Sequence, residues 1–268
     1  INKTIFIKTN IFISMLNAIL FLFQGKPLQV GYFFSGRMKK KINEIHNNYD
    51  CIIFHLIRAG EYLPKNYKGR KIIEMTDIIS KNYDQLYRRL SIFNPLKYIY
   101  FLEKLLLVNY EKKIVKIFNK VILVSKNDLN NPFFKNNKKI KVITNGTDLK
   151  KKIYNFKKSN KDVIFFGNIN YIPNKIACFD FIKKIMPELQ RRGYEINFKI
   201  IGQTSFFLKL MLTRFKNVEV HTNIKNPEKL CNKAICGIGN LNIATGVQNK
   251  ILEYMRVGIP AIVSEKCF

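Results

Sequence analysis

Apolar runs of strand length alternate with stretches of helical period along most of the chain, a pattern that predicts parallel α/β architecture. In the first half the runs are Cys51 to Leu56, Arg70 to Met75, Val121 to Ser125 and Lys141 to Thr144. Lys97 to Asn119 is a long helix, with Ile99, Leu102, Leu105, Leu106, Ile114, Ile117 and Phe118 at helical spacing. The second half is cleaner: strands over Val163 to Gly167, Asn197 to Gly202, Val218 to His221, Ile235 to Gly239 and Ile259 to Ser264 alternate with helices over Asn174 to Arg192, Ser205 to Phe215, Pro227 to Ala234 and Asn249 to Val257. Runs without polar alternation are expected to be buried on both faces, as strands covered by helices are. Polar, lysine-rich Lys150 to Asp162 separates the halves, so the reading is one domain over 1–150, a linker over 151–162 and a second domain over 163–268. Ile11 to Phe23 is apolar nearly all round but falls short of the ~18–20 residues of a membrane span. Lys3 and Lys8 ahead of it imitate a signal peptide, yet Gln24-Gly25-Lys26-Pro27 offers no small-x-small cleavage site, so a buried helix is expected.

Composition narrows the picture. With 47% hydrophobic residues among 268, the chain has ample material for a core and is not of the disordered class. Lys+Arg total 47 against 18 Asp+Glu, a formal net charge of +29. Only 9 of the basic residues are Arg, so 47 − 9 = 38 are Lys, and their spread over nearly every segment, together with abundant Asn and Ile, reads as codon bias rather than a nucleic-acid surface. Clusters remain at Lys39 to Lys41, Lys104, Lys112, Lys113, Lys135, Lys138, Lys139 and Lys141, all in the first half, where they suit peripheral contact with anionic lipid. Five scattered cysteines, with no second pair to complete a zinc site around Cys231 and Cys236, fit a reducing compartment. The chain starts with Ile rather than Met and stops just after a strand-like run, so both domains are expected to be incomplete.

The strongest local signal is Gly246-Val247-Gln248-Asn249-Lys250-Ile251-Leu252-Glu253-Tyr254-Met255-Arg256-Val257-Gly258-Ile259-Pro260. A Gly-bearing loop leaves a strand and opens a helix, presenting free backbone N–H groups and the positive dipole end to an anion. Lys250 adds a mobile cation on the first turn, and Glu253 lies three residues on, within reach of a ribose hydroxyl. The alternative is a capped helix with an ordinary solvent-side Lys250–Glu253 pair. The position favours a ligand, since open α/β sheets bind at the carboxyl ends of their strands.

This segment resembles the donor-site signature of glycosyltransferases with the GT-B fold, two Rossmann-like domains facing a cleft, and in particular the family 4 (group 1) sugar transferases. Phe165-Phe166-Gly167-Asn168-Ile169-Asn170-Tyr171-Ile172-Pro173-Asn174 is similar to the Gly-Asn-x-x-Tyr-x-Pro-Asn turn that opens the donor domain in one branch of that family. Ile143-Thr144-Asn145-Gly146-Thr147-Asp148 is similar to its interdomain signature, and Val124-Ser125 to the strand before it. The resemblance implies a retaining, metal-independent transferase that uses a nucleotide-diphosphate sugar as co-substrate, needs no cofactor and no nucleic acid, and serves a glycan or lipid-linked acceptor in cell-surface polysaccharide synthesis. A cytoplasmic place at the inner membrane face follows from the same likeness. It implies donor contacts from Gly167, Asn168, Lys175, Gly246, Val247, Gln248, Asn249, Lys250 and Glu253. Thr222, Asn223 and Ile224, after His221, are base-pocket candidates.

Departures are equally specific. The first Glu of the family's Glu-x7-Glu is Thr245 here, and Asn168 and Asn174 stand where an Arg and a Lys usually clamp the diphosphate, which leaves Lys250, Lys175 and backbone N–H groups for that task. On the acceptor side Asp77 is a candidate catalytic or acceptor-positioning group, or else an N-cap with Ser80 nearby. His55 and Arg58 are acceptor candidates, with a structural His and an Arg58–Glu61 salt bridge as the alternatives. A second class of function, a nucleotide-sugar or carbohydrate-binding module without catalysis, matches the missing clamp.

Overall fold

Each strand pair formed among the described residues is parallel. The computed structural model describes residues 4–148, 159–231, 234–241 and 248–267, and the chain divides into two compact units, Ile1–Thr144 and Asn145–Phe268.

The first unit opens with helices α1 (Ile11–Phe23), α2 (Leu28–Tyr32) and α3 (Gly36–Ile45). Strands β1 (Cys51–His55) and β2 (Arg70–Thr76) follow, then α4 (Ile79–Arg89), α5 (Pro95–Ile117), β3 (Lys120–Leu123) and β4 (Ile140–Val142), in a sheet of order β1-β2-β3-β4 that never reverses direction of winding. Apolar periodicity is misleading on α5. Its buried stripe is Glu103, Leu107, Tyr110, Glu111, Ile114 and Val115, while Ile99, Leu102, Leu105 and Ile117 are exposed. The two glutamates explain this, because each caps another helix. Glu103 accepts from the first-turn amides of Leu28 (2.7 Å) and Gln29 (3.0 Å) of α2, and Glu111 accepts from the Ser80 amide (2.9 Å) and hydroxyl (2.7 Å) at the start of α4. Backbone donors with no intrahelical partner, next to the positive dipole end, justify two buried carboxylates.

The expected burial of Ile11–Phe23 is overturned. α1 forms where the sequence places it, started by Asn10, whose side chain accepts from the Phe12 amide at 2.8 Å, but only Ser14 and Phe21 are buried. Ile11, Phe12, Ile13, Met15, Leu16, Ile19, Leu20 and Phe23 all face out. A Cβ on Gly31 of α2 would meet the Asn17 carbonyl oxygen at 2.5 Å, Phe21 Cβ at 2.7 Å and Ala18 Cα at 2.8 Å. The helix therefore packs through its narrow, small-residue side, spaced i, i+3, i+4 and i+7 from Ser14, and a helix apolar all round gives no sequence signal for which side that is.

The second unit carries β5 (Asp162–Phe166), β6 (Asn197–Ile201), β7 (Val218–His221), β8 (Cys236–Gly239) and β9 (Ala261–Val263) in the order β7-β6-β5-β8-β9. Winding runs from β5 outward to β7 and then reverses through β8 to β9, the doubly wound arrangement. β5 is buried along its whole length. Val163 and Phe165 enter the cluster of α6 (Ile172–Asp180) and α8 (Phe206–Leu212), and Ile164 and Phe166 enter that of α9 (Glu228–Cys231) and α10 (Asn249–Val257). Burial on both faces, expected for every run, fails at sheet edges: Ile53 of β1 and Ile262 of β9 are 66% and 62% exposed. The helix expected over Asn174 to Arg192 is instead α6, a π-helical segment Phe181–Ile185 and α7 (Met186–Arg191). Pro187 accounts for the interruption, since it lacks the amide an α-helix would use and its ring crowds the carbonyl one turn back.

Candidate functional site

The reversal of strand order places a crevice between the carboxyl ends of β5 and β8. Their ladder stops at Val163–Cys236 and Ile164–Gly237, and beyond it the strands part. Tyr254 of α10 fills the gap with its hydroxyl, which accepts from the Phe166 amide (3.0 Å) and donates to the Ile238 carbonyl (2.8 Å). The ring lies flat on the sheet because residue 237 is glycine: a Cβ there would sit 2.3 Å from it. α10 ends in a Schellman turn, with Gly258 left-handed at φ +73° and the Ile259 amide donating back to the Tyr254 carbonyl at 3.1 Å. The C-terminal half of the helix is thus fixed against the sheet.

Lys250 lies one turn before Tyr254 on the same face. It is not the mobile cation expected from sequence, nor half of a solvent-side pair with Glu253. It is only 8% exposed, its ammonium donates to Asn174 Oδ1 at 2.7 Å and lies 4.0 Å from the centroid of the Phe165 ring. Glu253 is bound by Arg256 at 2.9 Å. Among the described residues no carboxylate pairs with Lys250. Burial lowers its pKa from the ordinary lysine value to about 8, against the opposing pull of the Cys178 and Cys267 thiols. An ammonium has three donors and Asn174 takes one, so the site holds a desolvated cation with bonding capacity to spare.

Asn174 is the second member. It is buried, and its amide nitrogen donates to the Asn168 carbonyl at 2.9 Å, so the residue expected merely to replace a clamping cation instead positions one. Gly167 follows β5 at φ +155°, and Gly202 follows β6 at φ +149°. A Cβ on Gly202 would lie 1.9 Å from the Gly167 carbonyl oxygen, so this close backbone approach requires glycine. Asn168 and Lys175 are exposed at the rim. Asn240, directly after β8, donates to the Ala177 carbonyl at 2.8 Å and keeps its Oδ1 buried with no partner among the described residues, an acceptor that spacing did not single out. Gln248 holds the N-cap position of α10 without a side-chain cap bond, and Asn249 accepts from the Asn145 side chain at 2.7 Å. Thr245, Gly246 and Val247 lie outside the described residues.

The remaining candidates of the second unit are not brought into this group. His221 ends β7 with Nε2 2.9 Å from Glu219; Thr222, left-handed Asn223 (φ +55°) and Ile224 follow it. In the first unit His55 is exposed, with Nδ1 2.9 Å from Glu74. The Arg58–Glu61 alternative is overturned: Glu61 is taken by Lys26 (2.5 Å) and the Tyr110 hydroxyl (3.2 Å), while Arg58 stacks 3.9 Å from the Phe33 centroid. Burial lowers the Arg58 pKa, and Tyr83 and Asp77 oppose it. The N-cap position of α4 is held by Ile78, with Asp77 accepting from the Asn82 side chain at 3.2 Å. The cap carboxylate is Glu111, which burial raises to about 7, with Asp77 and Asp128 pushing the same way against two Ser80 hydrogen bonds. Among the described residues no group of three metal-ligating side chains is assembled, no helix is long and apolar enough to cross a membrane, and the five cysteines are free thiols.

Residues 160–267 match the family model described as glycosyl transferases group 1. No curated protein sequence matches the chain. Among solved structures, TarM aligns with 90% of this chain and 45% of its own at 12% identity and a TM-score of 0.61. HepE from Anabaena, solved with UDP and glucose, aligns over 85% of this chain and 62% of its own at 16% identity and a TM-score of 0.59. The UDP-forming trehalose-phosphate synthase from Burkholderia xenovorans, solved with glucose-6-phosphate, aligns over 90% and 66% at 11% identity and a TM-score of 0.57. This chain thus spans 45% to 66% of the length of these structures. The fold is the parallel α/β architecture of the GT-B glycosyltransferases.

Proposed function

We propose that this chain carries the nucleotide-sugar site of a glycosyltransferase, retaining and metal-independent, that moves a sugar from a nucleoside diphosphate to a glycan or lipid-linked acceptor in cell-surface polysaccharide synthesis. One observation carries it. The Lys250 ammonium is buried at the point where the strand order reverses, with no counter-charge among the described residues, and a desolvated cation of that kind is costly until an anion joins it. The diphosphate is the fitting anion, received by Lys250 and the first turn of α10, with Gly167, Asn168, Lys175, Gln248 and Asn249 around it, and with Gly246 and Val247, which lie outside the described residues, assigned to it from the sequence. Glu253 is assigned to ribose or sugar hydroxyls, Thr222 to Ile224 to the base, His55 and Arg58 to the acceptor and Asp77 to its positioning. Departure of the diphosphate builds negative charge on phosphate oxygens, and stabilising that charge with fixed donors is the main catalytic task. The similar HepE structure with UDP and glucose makes UDP the first nucleotide to try. The basic clusters of the first unit fit a cytoplasmic protein peripheral at an anionic membrane face.

The test is calorimetric titration of the chain with UDP-glucose beside Lys250→Met, which keeps the aliphatic packing and removes the charge. Loss of about 2–4 kcal/mol, ~30- to 800-fold, is expected, by analogy with a fixed oxyanion donor. Equal affinity in the two proteins would sink the assignment. Binding without nucleotide release on addition of acceptor favours the non-catalytic module instead.

A further inference from the structure

The side chain of Asn240 presents an acceptor that nothing among the described residues uses. Asn240 leaves β8 at the edge of the crevice, and its Nδ2 donates to the Ala177 carbonyl of α6 at 2.8 Å while Oδ1 is buried without a partner. That bond also fixes which end of the amide is which, because a carbonyl takes only a donor. The backbone on either side is tied down as well. The Gly239 carbonyl accepts from the Ser264 amide (3.1 Å) and the Cys267 thiol (3.1 Å), and the Leu241 carbonyl accepts from the Ser264 hydroxyl (2.6 Å). Oδ1 is therefore held in place before any ligand arrives, and a buried acceptor left unpaired is a standing cost that a donor would remove. Lys250 is close by. A Cβ on Gly239 would lie 3.8 Å from its Cδ, and the thiol of Cys178, the residue after Ala177, acts on its charge.

We propose that Asn240 Oδ1 accepts a hydrogen bond from a hydroxyl of the transferred sugar and selects the donor by that hydroxyl. The inference rests on the nucleotide-sugar reading above and names a residue that reads the sugar. The chemistry of the atom narrows its partner. An acceptor cannot bond to an ionised diphosphate, which has no hydrogen to donate, so Oδ1 is left with the nucleoside or the sugar. Strand order decides between them. The base is assigned to the end of β7 and the diphosphate to Lys250 between β5 and β8, and the sheet runs β7-β6-β5-β8-β9. At ~4.8 Å per strand, β8 is roughly 14 Å from β7 and lies past the diphosphate. A nucleotide sugar laid along that order has its base and ribose on the near side and its sugar at β8. A site that hydrogen-bonds a substrate hydroxyl rejects the analogue lacking it far more strongly than an apolar pocket rejects a missing methylene.

Calorimetric titration of the full chain with UDP, UDP-glucose and the monodeoxy analogues of UDP-glucose, each lacking one sugar hydroxyl, tests this. In wild type one analogue is expected to bind roughly 10- to 100-fold more weakly than UDP-glucose, the effect of a buried acceptor left unpaired. Asn240→Leu removes the acceptor at similar size and leaves the Ala177 carbonyl bonded to the Phe181 amide. This variant is expected to bind UDP as wild type does, and to bind UDP-glucose and that analogue alike. Asn240→Ala gives the same comparison if the larger side chain lowers the thermal melt. If every analogue equals UDP-glucose in wild type, or the weak one stays equally weak in the variants, no sugar hydroxyl meets Oδ1 and the inference is overturned. An equal loss for UDP and UDP-glucose in the variants moves the contact to the nucleoside and overturns it too. Lys250→Met separates the two readings: unchanged UDP affinity in that variant sinks the diphosphate site itself, whereas the analogue comparison bears on Asn240 alone.

Discussion

At the scale of single residues, burial drives two titratable groups toward neutrality from opposite directions. Lys250 has a folded pKa of about 8, below the ordinary 10.5, so the native chain binds fewer protons than the unfolded one between those values. Its burial penalty is present below about 8 and is relieved as pH rises toward 10.5. An anion on the ammonium reverses the shift, and UDP-glucose binding near pH 8 is therefore expected to take up a fraction of a proton. Titration in buffers of different ionisation enthalpy reads that uptake, and its absence in wild type would detach Lys250 from the ligand. Glu111 runs the other way. Its folded pKa of about 7 exceeds the ordinary 4.5, so its contribution is complete below about 4.5 and is lost as pH climbs through 7, a span worth up to about 3 kcal/mol. Glu111→Gln preserves the cap on Ser80 and removes the charge. Thermal melts from pH 5 to 8 are expected to flatten in that variant, which should match or exceed wild type at pH 8. Lys250 was singled out in the sequence by its place at a strand-loop-helix junction. Its burial was not, since Asn174 and Phe165 reach it from about eighty positions away and spacing on one helix carries no such information.

Among elements, the least visible from sequence were those whose partners are remote. α10 was read with its observed bounds, because Gly258 and Pro260 mark its end in the local chain. Tyr254 was read only as part of a motif, yet its hydroxyl joins α10 to both strand ends at the crevice. Tyr254→Phe leaves the Phe166 amide and Ile238 carbonyl unpaired in a fully buried place, at a cost of about 1–3 kcal/mol. Chemical denaturation should show that loss, together with weaker UDP-glucose binding as α10 loosens. A stability loss with unchanged binding would mean that Lys250 is positioned without Tyr254. Helix α1 was read correctly as a helix and wrongly as buried. Composition tells how much apolar surface a helix has, whereas Gly31 on a neighbouring helix decides which side is covered.

At the scale of the molecule, alternation of strand and helix was sufficient for the parallel sheets, but not for their strand order, which reverses in the second unit and not in the first. The first unit resisted reading because its organising residues are two buried glutamates, which no apolar pattern can announce. The charge of +29 divides into a dispersed background and local surfaces whose acidic partners are absent from the neighbouring sequence. The wedge at the parted strands has one more consequence. Because the Phe166 amide is bonded to an oxygen on α10 and not to the adjacent strand, its hydrogen exchange clocks the undocking of a helix from a sheet that stays intact. A single backbone resonance at position 166 would therefore report whether ligands tighten the helix that carries Lys250, with no label placed in the site.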